Sequence, residues 1–195
     1  MQEKCPFCYV AQSMNRFPLK YLIVIILVSL ATTVGLMLFM SSLNKALVSP
    51  EPHYDIIDFE FAFTEERAGI ILNTWGPELE REALKSLYID FAYLVSYALF
   101  LSSLALLVAR SRHAHLQRVG VIIARMPWVA AALDAVENIC LIHVITASTV
   151  PAASVFCAGA CALIKFGLVG VAIVFIVVGG GYVLTKSVNY SRMSV

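Results

Sequence analysis

The chain has 195 residues, of which 60% are hydrophobic and only 14% charged, and its mean hydropathy is +0.83. Soluble domains average about 45–50% apolar and about 25% charged residues, so this composition is that of an integral membrane protein. A formal charge of +1 offers no basic stripe for nucleic acid, and the five cysteines do not form the framework of a secreted disulfide-rich domain.

Residues 1–20 read as a short polar, cytoplasmic tail carrying Cys5-Pro-Phe-Cys8 and ending in Arg16 and Lys20. A C-x-x-C pair can be redox-active or supply half of a zinc site. With no second pair or histidine in reach, Cys5 and Cys8 are a weak metal signal, and no metal or cofactor is expected. The first span, about residues 21–42, has nothing charged inside it. Its length and flanks are those of a signal anchor and not of a cleaved signal.

Residues 43–86 form the one substantial loop, expected outside. Ser49-Pro-Glu-Pro-His53 breaks regular structure. Asp55 to Phe63 alternates acid and hydrophobe, which predicts an extended or interfacial segment. Thr64-Glu65-Glu66 then predicts an N-cap with acids in the first turn, opening a short amphipathic helix through Trp75 that Gly76-Pro77 closes. Ala68, Ile71, Leu72 and Trp75 share one face of it, so it should lie on the bundle or at headgroup level. Such a loop is expected to be a solvated cap; a lid over a cavity is the sharper alternative.

After a polar extension over 78–85, the second span runs over about 87–109. Ser86, Asp90, Tyr93 and Tyr97 recur on it at i, i+4, i+7 and i+11, a polar stripe on an apolar helix. A basic turn, Arg110 to Arg118, leads into a third span over about 119–147, with a kink expected at Pro127. The fourth span, about 153–185, contains Lys165 and Gly179-Gly180-Gly181 and leads to a cytoplasmic tail over 186–195. Basic residues gather at the first tail, the second loop and the last tail, whereas the first loop is acidic. The positive-inside rule then puts both termini in the cytoplasm, and the plasma membrane is the expected location.

The third span carries the most informative residues. Asp134, Glu137, Asn138 and Leu141 fall on one helical face. An acid at the bilayer centre costs roughly 2.5–3.5 kcal/mol on insertion scales, so this face should look inward. With alternating topology, Asp90, Glu137 and Lys165 lie in the outer half and Asp134 near the middle, and Lys165 is the natural counter-ion for Glu137 or Asp90. Asp90, Tyr93, Tyr97, Asp134, Glu137, Asn138 and Lys165 are therefore the candidate intramembrane site. Asn138 is expected to act as interhelical glue. Cys157 and Cys161 should pack as small hydrophobes, and His143 lies on the opposite face from Asp134.

Three chemistries suit such a set: a proton relay or ion site, acid–base work on a lipid-like molecule, or recognition of an amphipathic amine or headgroup without turnover. Spacing does not separate them. A dinuclear carboxylate metal site is disfavoured because no Glu-x-x-His pair occurs on these helices.

Three stretches together resemble a group of small bacterial four-helix membrane proteins. They are Phe59 to Ala68 with Trp75-Gly76, Leu87-Tyr-Ile-Asp90-Phe-Ala-Tyr93 through Tyr97, and Leu133-Asp134-Ala-Val-Glu137-Asn138. The resemblance covers about half the chain. It implies that the loop and the second and third spans work as one unit, and it brings no activity with it.

The fold expected is all-α, a four-helix transmembrane bundle with both termini inside and a short amphipathic helix in the first outside loop. The plainest function is a structural or accessory subunit in the lipid bilayer, as a homo-oligomer or part of a larger assembly. A binder of a lipid-like or small-molecule ligand, with or without acid–base turnover, and a proton- or ion-coupled carrier are the alternatives.

Overall fold

The computed structural model describes residues 18–47, 54–111 and 113–193. The Cys5 and Cys8 pair and the proline-rich breaker over 49–53 lie outside the described residues. Among the described residues there are six helices and no strand: α1 (Leu19–Leu47), α2 (Ile56–Glu60), α3 (Glu65–Ala109), α4 (Ala114–Ile123), α5 (Met126–Thr146) and α6 (Ala152–Met193). Four helical stretches are long and apolar enough to cross a membrane: Leu19–Leu43, Glu65–Ala109, Ala114–Thr146 and Ala152–Lys186. This is the architecture of a multi-pass membrane protein.

The first spanning helix is peripheral. On α1, Leu22, Ile26 and Ser29 are buried and Thr33, Leu36 and Met40 half-buried, a seam with alternating steps of four and three. That seam packs on α3, where the Thr33 hydroxyl donates to Ser96 Oγ at 3.1 Å. The other faces expose Val24, Leu27, Val28 and Leu38, apolar surface suited to lipid.

The Asp55–Phe63 stretch is not the extended segment its alternation suggested. Asp58 N–H donates to Asp55 Oδ1 at 3.0 Å and Asp55 N–H donates to Asp58 Oδ2 at 3.2 Å, a reciprocal capping box. This pairing satisfies two amide donors at the start of α2. Two of the acids thus serve a cap, and Ile56 and Phe59 turn inward. Phe59 is 1% exposed and its ring centroid lies 5.2 Å from that of Trp75.

Thr64 caps the next helix, its hydroxyl oxygen accepting from Arg67 N–H at 3.3 Å. The stretch through Trp75 forms the first arm of α3, set off from the rest by a break at Gly76, whose φ 65° and ψ 178° are non-helical angles essentially restricted to glycine. Pro77 follows, where its missing N–H costs nothing because the ladder is already broken. The arm before the break buries Ala68, Ile71 and Trp75 in one cluster with Leu141 and Val144 of α5 and Val155 and Ala158 of α6. Trp75 Nε1 donates to the Tyr54 carbonyl at 3.1 Å.

The third crossing is broken into α4 and α5, a stronger interruption than the expected kink. Pro127 cannot donate to the Ile123 carbonyl, and Trp128 N–H turns to Arg125 O at 3.2 Å. The Ala124 carbonyl is taken instead by Ser102 Oγ from α3, at 2.7 Å. The break therefore leaves this buried acceptor satisfied. By contrast, α6 runs through residues 179–181 without interruption.

Close approach between α3 and α4 depends on Gly120, where a Cβ would fall 2.7 Å from Ala109 Cβ and 3.1 Å from Ala109 Cα. Backbone cannot yield as a flexible side chain does. Gly120→Val is expected to destabilise the protein by about 1–3 kcal/mol, the range for overpacking. Thermal unfolding in detergent measures this, and an unchanged midpoint would show that the two helices separate freely.

Candidate functional site

On α5, Asp134, Glu137 and Asn138 are 3%, 0% and 2% exposed, all turned away from the lipid-facing side. On α6, Lys165 is 8% exposed at the same level. Its ammonium lies 2.6 Å from Asp134 Oδ1 and 2.8 Å from Glu137 Oε2. One ammonium thus bridges two acids a helical turn apart.

The remaining polar groups close around this bridge. The Tyr97 hydroxyl donates to Asp134 Oδ2 at 3.0 Å, so both oxygens of Asp134 are engaged. Asn138 Nδ2 donates to Asp90 Oδ2 at 2.6 Å. Tyr93 packs against Tyr97 with ring centroids 5.4 Å apart. Of the two acids proposed as partners of Lys165, Glu137 pairs with it, whereas Asp90 is held by an amide and has no cation within ion-pair distance among the described residues.

Sequence reasoning overlooked Glu60. It stands at the end of α2, and its Oε2 lies 3.8 Å from the Lys165 ammonium. The signal was present: Asp55 and Asp58 at cap and N3 positions predict a helical turn, which puts Ile56, Phe59 and Glu60 on one face. The loop thereby inserts a fourth carboxyl into a cluster otherwise built by three spanning helices.

Both oxygens of Glu137 and Glu60 Oε2 are buried without a hydrogen-bond partner, although Glu137 Oε2 has the Lys165 ion pair. The Glu60 and Glu137 carboxyls stand within hydrogen-bond reach of each other. Burial pushes the Glu60 carboxyl above the ordinary carboxylate range; the Lys165 ammonium opposes that shift and the Asp134 charge adds to it.

A cavity of about 540 Å³ opens beside the cluster. Its polar end is formed by Glu60, Asp90, Asp134, Asn138 and Lys165, with Tyr93 and Tyr97 next to them. Its walls are Met37 and Met40 of α1, Phe100 of α3, and Phe166, Val169 and Ile173 of α6. The volume is in the range that holds a drug-sized molecule.

The membrane cysteines sit apart from this wall. Cys161 is buried, Cys140 and Cys157 are half-buried, and the thiols of Cys140 and Cys157 are in hydrogen-bond reach. His143 is outside the cluster and pairs through Nδ1 with Ser154 Oγ at 2.9 Å. In comparison with known proteins, no family model, no curated protein and no solved structure matches this chain.

Removing the ammonium should leave Asp134 and Glu137 buried and uncompensated. Lys165→Met is expected to cost about 3–5 kcal/mol, and adding Asp134→Asn and Glu137→Gln should recover most of it. Unfolding in detergent tests both; a harmless single substitution would mean the ion set does not hold the bundle.

The raised Glu60 carboxyl binds a proton more readily docked than undocked. Docking of α2 is therefore strongest at low pH and weakens as pH rises from the usual 4.5 through the raised value. Amide exchange over residues 55–63, corrected for its intrinsic pH dependence, should speed up across that window. Glu60→Gln should abolish the excess, and an identical profile in the variant would rule out Glu60 as the source.

Proposed function

We propose that the protein is a plasma-membrane binder of a lipid-like or other amphiphilic small molecule, held in the cavity between α1, α3 and α6. The observation that carries this reading is a single cavity with an ionisable end and apolar walls. A molecule with a polar head and an apolar chain matches both halves. Because α1 packs chiefly on α3, the walls from α1 and α6 leave room to admit a chain from the surrounding lipid.

An accessory subunit needs only packed helices. Polar groups serving as interhelical glue contribute about 0.6–2 kcal/mol each by satisfying one another. A carboxyl oxygen such as Glu60 Oε2, buried without a hydrogen-bond partner beside open space, does not serve that purpose. The binder reading therefore stands ahead of the accessory one.

We take both termini as cytoplasmic, since Lys20, Arg110, Arg118 and Lys186 flank the spans at the end opposite the acidic α2 segment. The polar end of the cavity then belongs to the outer half of the membrane, beneath α2. On this reading the loop, second span and third span resembling the bacterial group are the unit that builds the head-group end, and α1 with α6 accommodates the chain.

Native mass spectrometry of the protein extracted in mild detergent tests the proposal. Wild type should carry a discrete adduct, and Val169→Trp, which fills the wall while sparing every acid, should lose it. Bare protein in both cases would remove the basis for a resident amphiphile.

A further inference from the structure

We infer that the head group taken by this site is a cationic amine, an inference that rests on the amphiphile reading above. The cluster gathers four carboxyl groups, Glu60, Asp90, Asp134 and Glu137, around one ammonium, that of Lys165. One ammonium does not offset four carboxylates. Neutralisation inside a membrane comes from protons or from a cation.

The placement of the partners favours the cation. Lys165 is the only basic side chain lining the cavity among the described residues, and it is already committed to Asp134 and Glu137. An anionic head would find no free cation there and would face Asp90 and Glu60. Asp90 is oriented by the Asn138 amide, lines the cavity and has no cation of its own. Glu60 Oε2 is buried at the same wall without a hydrogen-bond donor. An ammonium between them would donate to both carboxylates, with the Tyr93 and Tyr97 rings beside it. A hydroxyl head would form similar hydrogen bonds but leave the charge unmatched.

Three probes with the same twelve-carbon chain separate these cases at pH 7: dodecylamine, dodecanol and dodecanoate. Binding of each to full-length protein in a maltoside detergent is titrated by native mass spectrometry. The amine should bind at least about tenfold more tightly than the alcohol, with dodecanoate weakest. Asp90→Asn, which keeps an oxygen to accept from Asn138, should reduce the amine to the level of the alcohol. Glu60→Gln carries the same comparison if the Asp90 variant does not elute as a folded species. If amine and alcohol bind equally and Val169→Trp weakens both, the cavity reading stands and the amine inference is overturned. Preference for dodecanoate overturns it as well, and no binding by any probe overturns both readings.

Discussion

The structure depends on a single buried ammonium. Lys165 lies between Asp134 and Glu137 at 2.6 and 2.8 Å, with Glu60 at 3.8 Å, where each charge has been withdrawn from water at a cost of several kcal/mol. That cost is tolerable only while the partners stay in place. Helices α5 and α6 must therefore keep one relative register, and α3 is tied to the same point through the Tyr97 hydroxyl on Asp134. The ion set specifies how three helices meet in a medium where apolar surfaces alone discriminate poorly between registers.

The same constraint reaches the loop. Glu60 arrives at the cluster because Asp55 and Asp58 cap a single helical turn and Phe59 anchors it against Trp75. Phe63 then reverses the chain in a left-handed conformation, φ 57°, with its ring over Gly159 of α6. That conformation costs a non-glycine residue roughly 1–2 kcal/mol, and the ring contact on α6 helps to hold it. The segment over 55–63 is consequently packed against the bundle and is more than a solvated cap. It supplies part of the cavity wall through Ile56, Ile57 and Glu60.

Much of this was legible in the residues because membrane burial leaves strong signals. Long apolar runs gave four crossing helices, and the spacing of Asp134, Glu137 and Asn138 identified an inward face without knowledge of its neighbours. Local chemistry was harder. The Asp55–Phe63 alternation resembles a strand on apolar periodicity alone, and only the reciprocal bonds between Asp55 and Asp58 turn it into a helix. At Gly76 the helix does break, with glycine in a non-helical conformation, and a second helical arm starts directly after it. Around Ala124, Pro127 announced a disturbance, but its depth depended on Ser102 from another helix being there to take the released carbonyl. Glu60 was missed for a related reason: a loop acid counts as solvated until something fixes the loop against the bundle.

Stability alone does not explain why the charges are there. Well-packed apolar residues of similar volume often match or exceed a buried ion pair in stability. Here the surplus carboxyls make that comparison sharper, since Glu60 and Asp90 join a set whose one ammonium is already bound to two other acids. A purely structural bundle would be better served by closing the cavity and dispensing with both. Instead, Asn138 holds Asp90 at the cavity wall, and the α2 turn brings Glu60 to the same wall from outside the spanning helices. Two separate devices thus keep acids facing an open space with apolar sides. That arrangement has a physical purpose if the space is filled by a molecule whose head answers the acids and whose tail answers the walls.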